Sequence, residues 1–537
     1  MTPFSAERLL FDPATPESDA IPVVFAFPNT YSVGITSLGY QLVWATLAMR
    51  SDIAVRRLFT DLSESLPSDT EILGFSLSWE LDYANILSLL ESLDIPVRSH
   101  QRRDSDPLIF GGGPVLTANP EPFADFFDIV LLGDGEDLIP AFFDAYQEVR
   151  HASREEQLRR LAQVPGVYVP SLYEVRYTAP DGAIAEIVPV EAQVPPYVSK
   201  QTYRGNTLSA SPVVTELAAW PNIYMVEVVR SCPEMCRFCL ASYLTLPFRT
   251  ASLEGSLIPA IDRGLQVSDR LGLLGASITQ HPEFEALLDR LDSDEYDNVR
   301  LSIASVRTNT VTPKLAQILS KRDTKSITIA VESGSERLRK IINKKLENDE
   351  IVQAAVNAKA GGLKALKLYG MVGLPGETEE DLAQTVEMML QVKKAAPGLR
   401  LTLGCSTFVP KAHTPFQGFG VRPEAKKRLK TLQKELRSRG IDFRPESYNW
   451  STIQALISRG DRRISQVLEL VRGYGDSIGS YKRAFKQLRG KIPNLDYYVR
   501  ENYESDRILP WHHLHGPLPP ETLRKHLEDA RQSMVTV

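Results

Sequence analysis

The chain has 537 residues, 43% of them hydrophobic and 24% charged, and a net charge of −6, the make-up of a folded protein with room for two or three cores. Four cysteines in that length exclude a disulfide-stapled secreted scaffold. The first residues lack the basic-then-apolar layout of a signal peptide, and no stretch reaches the ~20 apolar residues of a membrane span, so a cytoplasmic location is expected.

Residues 21–27 are an apolar run ending in Pro28 and Asn29, which reads as a buried strand and a turn. A helical pattern follows over 33–50, then a second strand at 71–77 and a helix at 83–93. Two more strand candidates, 107–110 and 128–132, each run into glycines: Gly111, Gly112 and Gly113 after the first, Gly133, Asp134, Gly135 and Glu136 after the second. Strands alternating with helices predict a parallel α/β sheet, whose ligands bind beyond the carboxyl ends of the strands. Residues 1–150 therefore form one Rossmann-like domain. Residues 151–220 read as a linker with a small hairpin around Pro180, Asp181 and Gly182.

A second α/β domain is expected over 221–418, with strand candidates at 223–229, 271–278, 299–306, 326–331, 365–372 and 400–405. Thr378 with Asp381 three residues on is a cap for the helix after the fifth strand. The remainder, 419–537, is basic and mainly helical. Residues 421–500 carry 19 Lys and Arg against 8 Asp and Glu, which marks either a solvated face or a surface for phosphates. Trp511, His512, His513 and His515 sit near the end with no Cys or acidic neighbour in sequence.

The densest chemistry lies just after the strand 223–229. Cys232, Cys236 and Cys239 stand in a C-x3-C-x2-C spacing, three thiols within eight residues. Thiolates are soft ligands that select zinc, copper(I) or iron–sulfur clusters. A structural zinc site wants a fourth ligand nearby, and the nearest downstream histidine is His281. Three ligands and one open position suit a [4Fe–4S] cluster with one iron free for a small molecule.

That spacing, with Phe238 just before the third cysteine, resembles the radical S-adenosylmethionine (SAM) family. The resemblance implies a partial (β/α)6 barrel over the second domain and a SAM site at the carboxyl ends of its strands. On that basis Gly275 and Ser277 lie where the family contacts the SAM amino group, and Ser305 and Arg307 where it contacts ribose and carboxylate. Glu332 ends the fourth strand, and Gly373 opens a motif similar to the one flanking adenine. Taken singly, Arg307 is equally a surface ion pair, Glu332 a helix cap and Gly373 a turn. Cys405, ending the sixth strand, is expected at the barrel mouth as a radical quencher or catalyst, against the plainer reading of a buried small hydrophobe.

The glycine loops of the first domain, with Asn119, Pro120, Glu121 and Pro122 between them, look like the cobalamin (B12)-binding domain that precedes many radical SAM barrels. Gly111, Gly112, Gly113, Gly133, Asp134, Gly135 and Glu136 would then face the cofactor. The lower-ligand motif Asp-x-His-x-x-Gly is absent, and His100 does not stand in one. The pattern is closest to a subgroup without an assigned substrate. Two functions follow. One is reductive cleavage of SAM to start methyl transfer or rearrangement at an unreactive carbon of a small molecule, with cobalamin. The other is RNA modification of a methyl- or methylthiotransferase kind, with no cobalamin. Both need an electron donor such as flavodoxin or ferredoxin.

Overall fold

The computed structural model describes residues 3–535, which divide into two compact units. The first comprises residues 3–204, 211–221 and 453–517; the second comprises 205–210, 222–452 and 518–535.

The first unit is built on six strands: β1 (Ile21–Ala26), β2 (Ile53–Leu58), β3 (Ile72–Ser76), β4 (Leu108–Gly112), β5 (Ile129–Leu131) and β6 (Val167–Tyr168). Their order is β2-β1-β3-β4-β5-β6, parallel throughout except for the antiparallel edge pair β5–β6. All six residues of β1 are buried, as a strand covered on both faces requires. The helix Leu38–Ala48 starts at Ser37, whose hydroxyl accepts from Tyr40 N, and its Tyr40 ring stacks on Phe25 of β1 at 4.9 Å. The helices Tyr83–Ser92 and Gly135–Val149 follow β3 and β5. Tyr173–Tyr177 and Ile184–Pro189 form the expected hairpin.

The C-terminal stretch does not stand apart. Its residues 453–517 belong to the first unit, where the Tyr481 hydroxyl meets that of Tyr83 at 2.9 Å. The cluster Arg459, Arg462 and Arg463 is turned inward. Arg459 donates to the carbonyls of Tyr498 and Glu501, Arg462 to Glu121, and Arg463 to Asp461. These three guanidiniums are structural and form no track for phosphates.

The second unit carries β7 (Ile223–Glu227), β8 (Arg270–Leu274), β9 (Arg300–Ile303), β10 (Ser326–Glu332), β11 (Ala365–Val372), β12 (Arg400–Thr407) and β13 (Asp442–Pro445). β7-β8-β9 and β10-β11-β12-β13 are parallel sheets, joined through the parallel bridge Val306↔Ile329. The result is the expected partial barrel with one strand more than the six read from the sequence. β13 escaped notice because it is four residues long, ends in proline, and buries only Phe443 of its four side chains. Helices pack on one face. Gly264, in the helix Ile258–Leu265, sits so close to the Tyr224 ring that a Cβ there would lie 2.1 Å from it. The helix Glu379–Ala395 begins at Thr378 with the reciprocal Thr378–Asp381 cap. No helix among the described residues is long and apolar enough to cross a membrane.

Candidate active site

β7 runs into the cysteine loop, and two residues with left-handed backbone turn that loop: Ser231 (φ 73°) before Cys232 and Met235 (φ 56°) before Cys236. Side chains with branched or long stems rarely adopt this conformation, so neighbours must hold it. They do. Asn343 Nδ2 donates to Met235 O at 2.8 Å, and the Tyr243 hydroxyl donates to the same carbonyl at 3.0 Å. Ser231 Oγ donates to Ala241 O at 3.0 Å, and Cys239 N to Cys236 O at 2.9 Å. Arg237, 7% exposed, donates to the carbonyls of Lys340 (3.0 Å) and Ile341 (2.7 Å), the last two residues of the helix Glu336–Ile341. It thereby satisfies helix-end acceptors and ties the loop to that helix.

Cys236 is buried, and Cys232 and Cys239 are partly so. Burial pushes the Cys236 thiol up to about 12; Lys344 pulls it down, while Cys239, Glu332 and Cys232 push it further up. Burial likewise raises Cys239, with Cys232 adding to the rise. Cys236 and Cys239 thus feel the charge of the neighbouring thiols. Among the described residues, no three His, Cys, Asp or Glu side chains are gathered as ligands to a single ion would be. A four-iron cluster does not ask for that, since each thiolate takes its own iron. Phe238 is half-buried against Leu338, Ile341, Ile342, Leu374, Phe408 and Phe416.

Several of the remaining expected residues converge on a loop residue that the sequence did not single out. Glu234, between Cys232 and Cys236, accepts from Arg307 at 2.7 Å and Gln280 at 2.6 Å and lies 3.8 Å from Lys345 Nζ. Ser277 Oγ donates in turn to Gln280. Gly275 (φ 150°) lets the chain pass β7's end, since a Cβ there would stand 2.6 Å from Val229 O. Ser305 is partly exposed beside the bridge residue Val306. Glu332 (φ 65°) ends β10 at a bulge and pairs with Lys344 Nζ at 3.5 Å. Burial raises its carboxyl, against the pull of Lys344. Gly373 (φ 79°) donates its N–H to Glu377, which also accepts from Arg428 at 2.7 Å.

Cys405 does not face the barrel mouth. It is paired in register with Gly370 and shares its parity with Leu401 and Leu403, all buried, while Gly404 and Ser406 take the opposite face. A one-residue difference in register inverts every side chain of a strand. The expected catalytic cysteine is a buried thiol at 2% exposure, and burial holds its pKa well above the ordinary value.

In the first unit the glycines are largely used by the chain itself. A Cβ at Gly111 would strike Leu116 and Phe127, one at Gly113 (φ 104°) would lie 2.7 Å from Leu77 O, and one at Gly133 (φ 121°) 2.1 Å from Gln201 O. Asp134 accepts from Tyr203 N at 3.1 Å. Gly135 and Glu136 open the helix Gly135–Val149. Gly112 is different: the nearest atom to a Cβ there is 3.8 Å away. The strand edge also presents Trp79, just beyond β3, at 48% exposure.

Residues 226–389 match the model of the radical SAM superfamily, and residues 42–170 match that of the N-terminal region of radical SAM proteins. The chain belongs to the radical SAM superfamily. A radical SAM enzyme has a [4Fe–4S] cluster and SAM as its cofactors, and the three clamped thiols fit the cluster. An uncharacterized protein of Methanocaldococcus jannaschii is 27% identical over 463 residues, 86% of this chain and 94% of that protein. A tRNA-2-methylthio-N(6)-dimethylallyladenosine synthase of Prosthecochloris aestuarii is 26% identical over 178 residues, 31% of this chain and 40% of that protein. The fold is also that of the radical SAM methyltransferase TsrM from Kitasatospora setae, solved with cobalamin and a [4Fe–4S] cluster. The TM-score is 0.50 at 12% identity, over 96% of this chain and 100% of that one.

Two outcomes are expected of this radical SAM site. Arg237→Met leaves the helix-end carbonyls unsatisfied and frees the cysteine loop, so iron retained after reconstitution and desalting should fall by more than half. Glu377 holds its proton up to about pH 7 because burial outweighs Arg428. A carboxyl raised in this way stabilises the fold at low pH and loses that contribution as pH climbs through its folded value. Urea unfolding from about pH 5 to about pH 8 should therefore show a falling stability that is flatter in Glu377→Gln.

Proposed function

We propose that the protein is a cobalamin-type radical SAM enzyme that transfers a methyl group to, or rearranges, an unreactive carbon of a small molecule. The observation that carries the reading is the cysteine loop: three thiols, locked by Arg237, Asn343 and Tyr243, with Glu234 in their midst gathering Arg307, Gln280 and Lys345. When bound, the cluster and SAM supply reductive cleavage of the sulfonium to methionine and a 5′-deoxyadenosyl radical, and cobalamin would carry the methyl group.

The chain's own part is holding and screening. Cys232, Cys236 and Cys239 would hold the cluster through three thiolates and leave one position open for SAM. Gly275 and Ser277 would meet the SAM amino group, and Ser305 and Arg307 its ribose and carboxylate; Glu234 keeps the Arg307 guanidinium oriented. Gly373 would flank the adenine, with Glu332 at the neighbouring strand end. Gly112 and Trp79 give the first unit an open edge with a flat apolar surface, which suits a corrin face better than a loop filled by the chain itself. The electron donor belongs to the flavodoxin or ferredoxin kind.

RNA modification is the second reading, favoured by a different observation. On the helix Ala425–Arg437, Lys426, Lys427, Lys430 and Lys434 are exposed, and none has an ion-pair partner among the described residues. The relatives that act on tRNA favour it too.

The deciding measurement is cobalt per chain after anaerobic reconstitution with iron, sulfide and hydroxocobalamin, then desalting. Near-stoichiometric cobalt is the expected result. A full iron complement without cobalt would sink the cobalamin reading and leave RNA modification in front. In either case Cys236→Ala should abolish formation of 5′-deoxyadenosine from SAM under dithionite.

A further inference from the structure

The inner face of the partial barrel alternates with its helix-packed face along β11. Ala365, Leu366, Leu368, Gly370 and Val372 are buried, whereas Lys367 and Tyr369 are exposed. An aromatic side chain 51% exposed in the middle of a strand flanked on both sides is out of place for a structural residue. Its neighbours in register are Ala330 on β10 and Gly404 on β12, both small. A Cβ at position 404 would lie 3.3 Å from Tyr369 Cδ1, so the ring leans over Gly404 and turns its other face away from it.

Lys367 stands two residues earlier on the same face, about 6.6 Å along the strand. Its row mate on β10 is Thr328. Lys367 has no hydrogen-bond or ion-pair partner among the described residues; of the other cations of this face, Arg444 beside Gly404 is neutralised by Asp442 at 2.9 Å, and Arg400 lies one row further back, at the amino end of β12. Beside the flat ring of Tyr369 the inner face therefore offers the unspent positive charge of Lys367 and a floor of small or hydroxyl-bearing residues, with Arg400 a row further from the carboxyl ends. Pockets of this make-up, apolar surface with a few placed polar groups, are how proteins fix a small ligand's orientation.

We infer that Tyr369 and Lys367 form the substrate-recognition wall of this radical SAM barrel, and that the substrate class is a small molecule with a flat unsaturated ring bearing an anionic group. The inference rests on the reading of the barrel as a SAM-cleaving enzyme. The ring packs on the open face of Tyr369, and the acid, carboxylate or phosphate, reaches Lys367 as a charge-assisted hydrogen bond acceptor. Both are positioning residues; the bond to be broken lies toward the carboxyl ends of the strands, where the cluster loop stands.

The test is NMR titration of the reconstituted full-length enzyme with three probes that share one ring and differ in charge: benzoate, benzamide and benzylamine. Benzoate should bind at least fivefold more tightly than benzamide, and benzylamine should not bind. Lys367→Gln should bring benzoate to the level of benzamide, and Tyr369→Ala should weaken both. Retained iron and the unfolding temperature of each variant should match the unaltered enzyme, which separates a lost contact from a lost fold. Equal binding of the three probes, no binding of any, or benzoate binding that survives both substitutions would overturn the inference. SAM cleavage by the unaltered enzyme is scored separately. Selective benzoate binding without cleavage would overturn the proposed function and spare the anion site; cleavage without it would do the reverse.

Discussion

Everything chemical in this chain depends on a backbone constraint. Three thiols spread over eight residues can serve one cluster only if the loop turns back, and it turns at Ser231 and Met235, both in left-handed backbone. Each such residue costs of order 1–3 kcal/mol, so the loop cannot hold that shape unaided. The second half of the barrel holds it. Asn343 and Tyr243 grip the carbonyl of Met235, and Arg237 reaches to the end of the helix Glu336–Ile341. The elements after β10 are therefore as much a part of the cluster site as the cysteines. The hydrogen bonds of this buried arginine go to neutral carbonyls, and burial lowers its pKa against the opposing pull of Tyr243 and Asp529. The site retains a positive charge next to where a ligated cluster would place negative charge.

The second constraint is electrostatic. Glu234 lies inside the cysteine loop, where a bare carboxylate beside thiolates would oppose cluster formation by like-charge repulsion. Arg307, Gln280 and Lys345 meet it. The pairing makes one arginine serve two ends. It neutralises the loop's carboxylate, and it is thereby fixed at the end of β9, where a guanidinium can meet a second carboxylate. Gln280 and Arg307, just past two strand ends, and Lys345, beyond the helix Glu336–Ile341, are set by one charge on the loop, which explains how side chains so far apart in sequence keep a common geometry.

Much of this was legible in the sequence, and the gaps have identifiable causes. The cysteine spacing, the alternation of strands with helices and the Thr378–Asp381 cap are local patterns, and the structure contains them where they were expected. Contacts between distant segments leave no local pattern. Arg237 is an ordinary loop arginine until the fold brings the helix Glu336–Ile341 to it, Asn343 and Lys344 are ordinary surface types, and nothing in the sequence marks Glu234 as a hub. Cys405 shows the opposite failure. A strand end was identified correctly, but side-chain facing has a period of two, and a one-residue ambiguity sends the thiol to the helix side and Gly404 and Ser406 to the inner face. The arginines near residue 460 misled through composition: a basic run counts charges and says nothing of direction, and here Arg459, Arg462 and Arg463 are spent inside the first unit.

The glycine loops of the first unit carry a related lesson about what a motif can mean. Gly113 and Gly133 have positive φ and leave no room for a Cβ beside Leu77 and Gln201, and Gly111 is pressed on Leu116 and Phe127. The fold needs these three whether or not anything binds, so a domain that had lost its ligand would keep them. Their presence therefore weighs little between a cofactor site and a bare platform. Gly112 and Trp79 weigh more, because the fold demands neither. A Cβ at Gly112 would make only ordinary contact, with Leu131 at 3.8 Å, and an indole 48% exposed costs hydrophobic stabilisation that a polar residue would spare. An exposed indole just beyond β3 therefore weighs more between the two readings than the glycines that the fold itself requires.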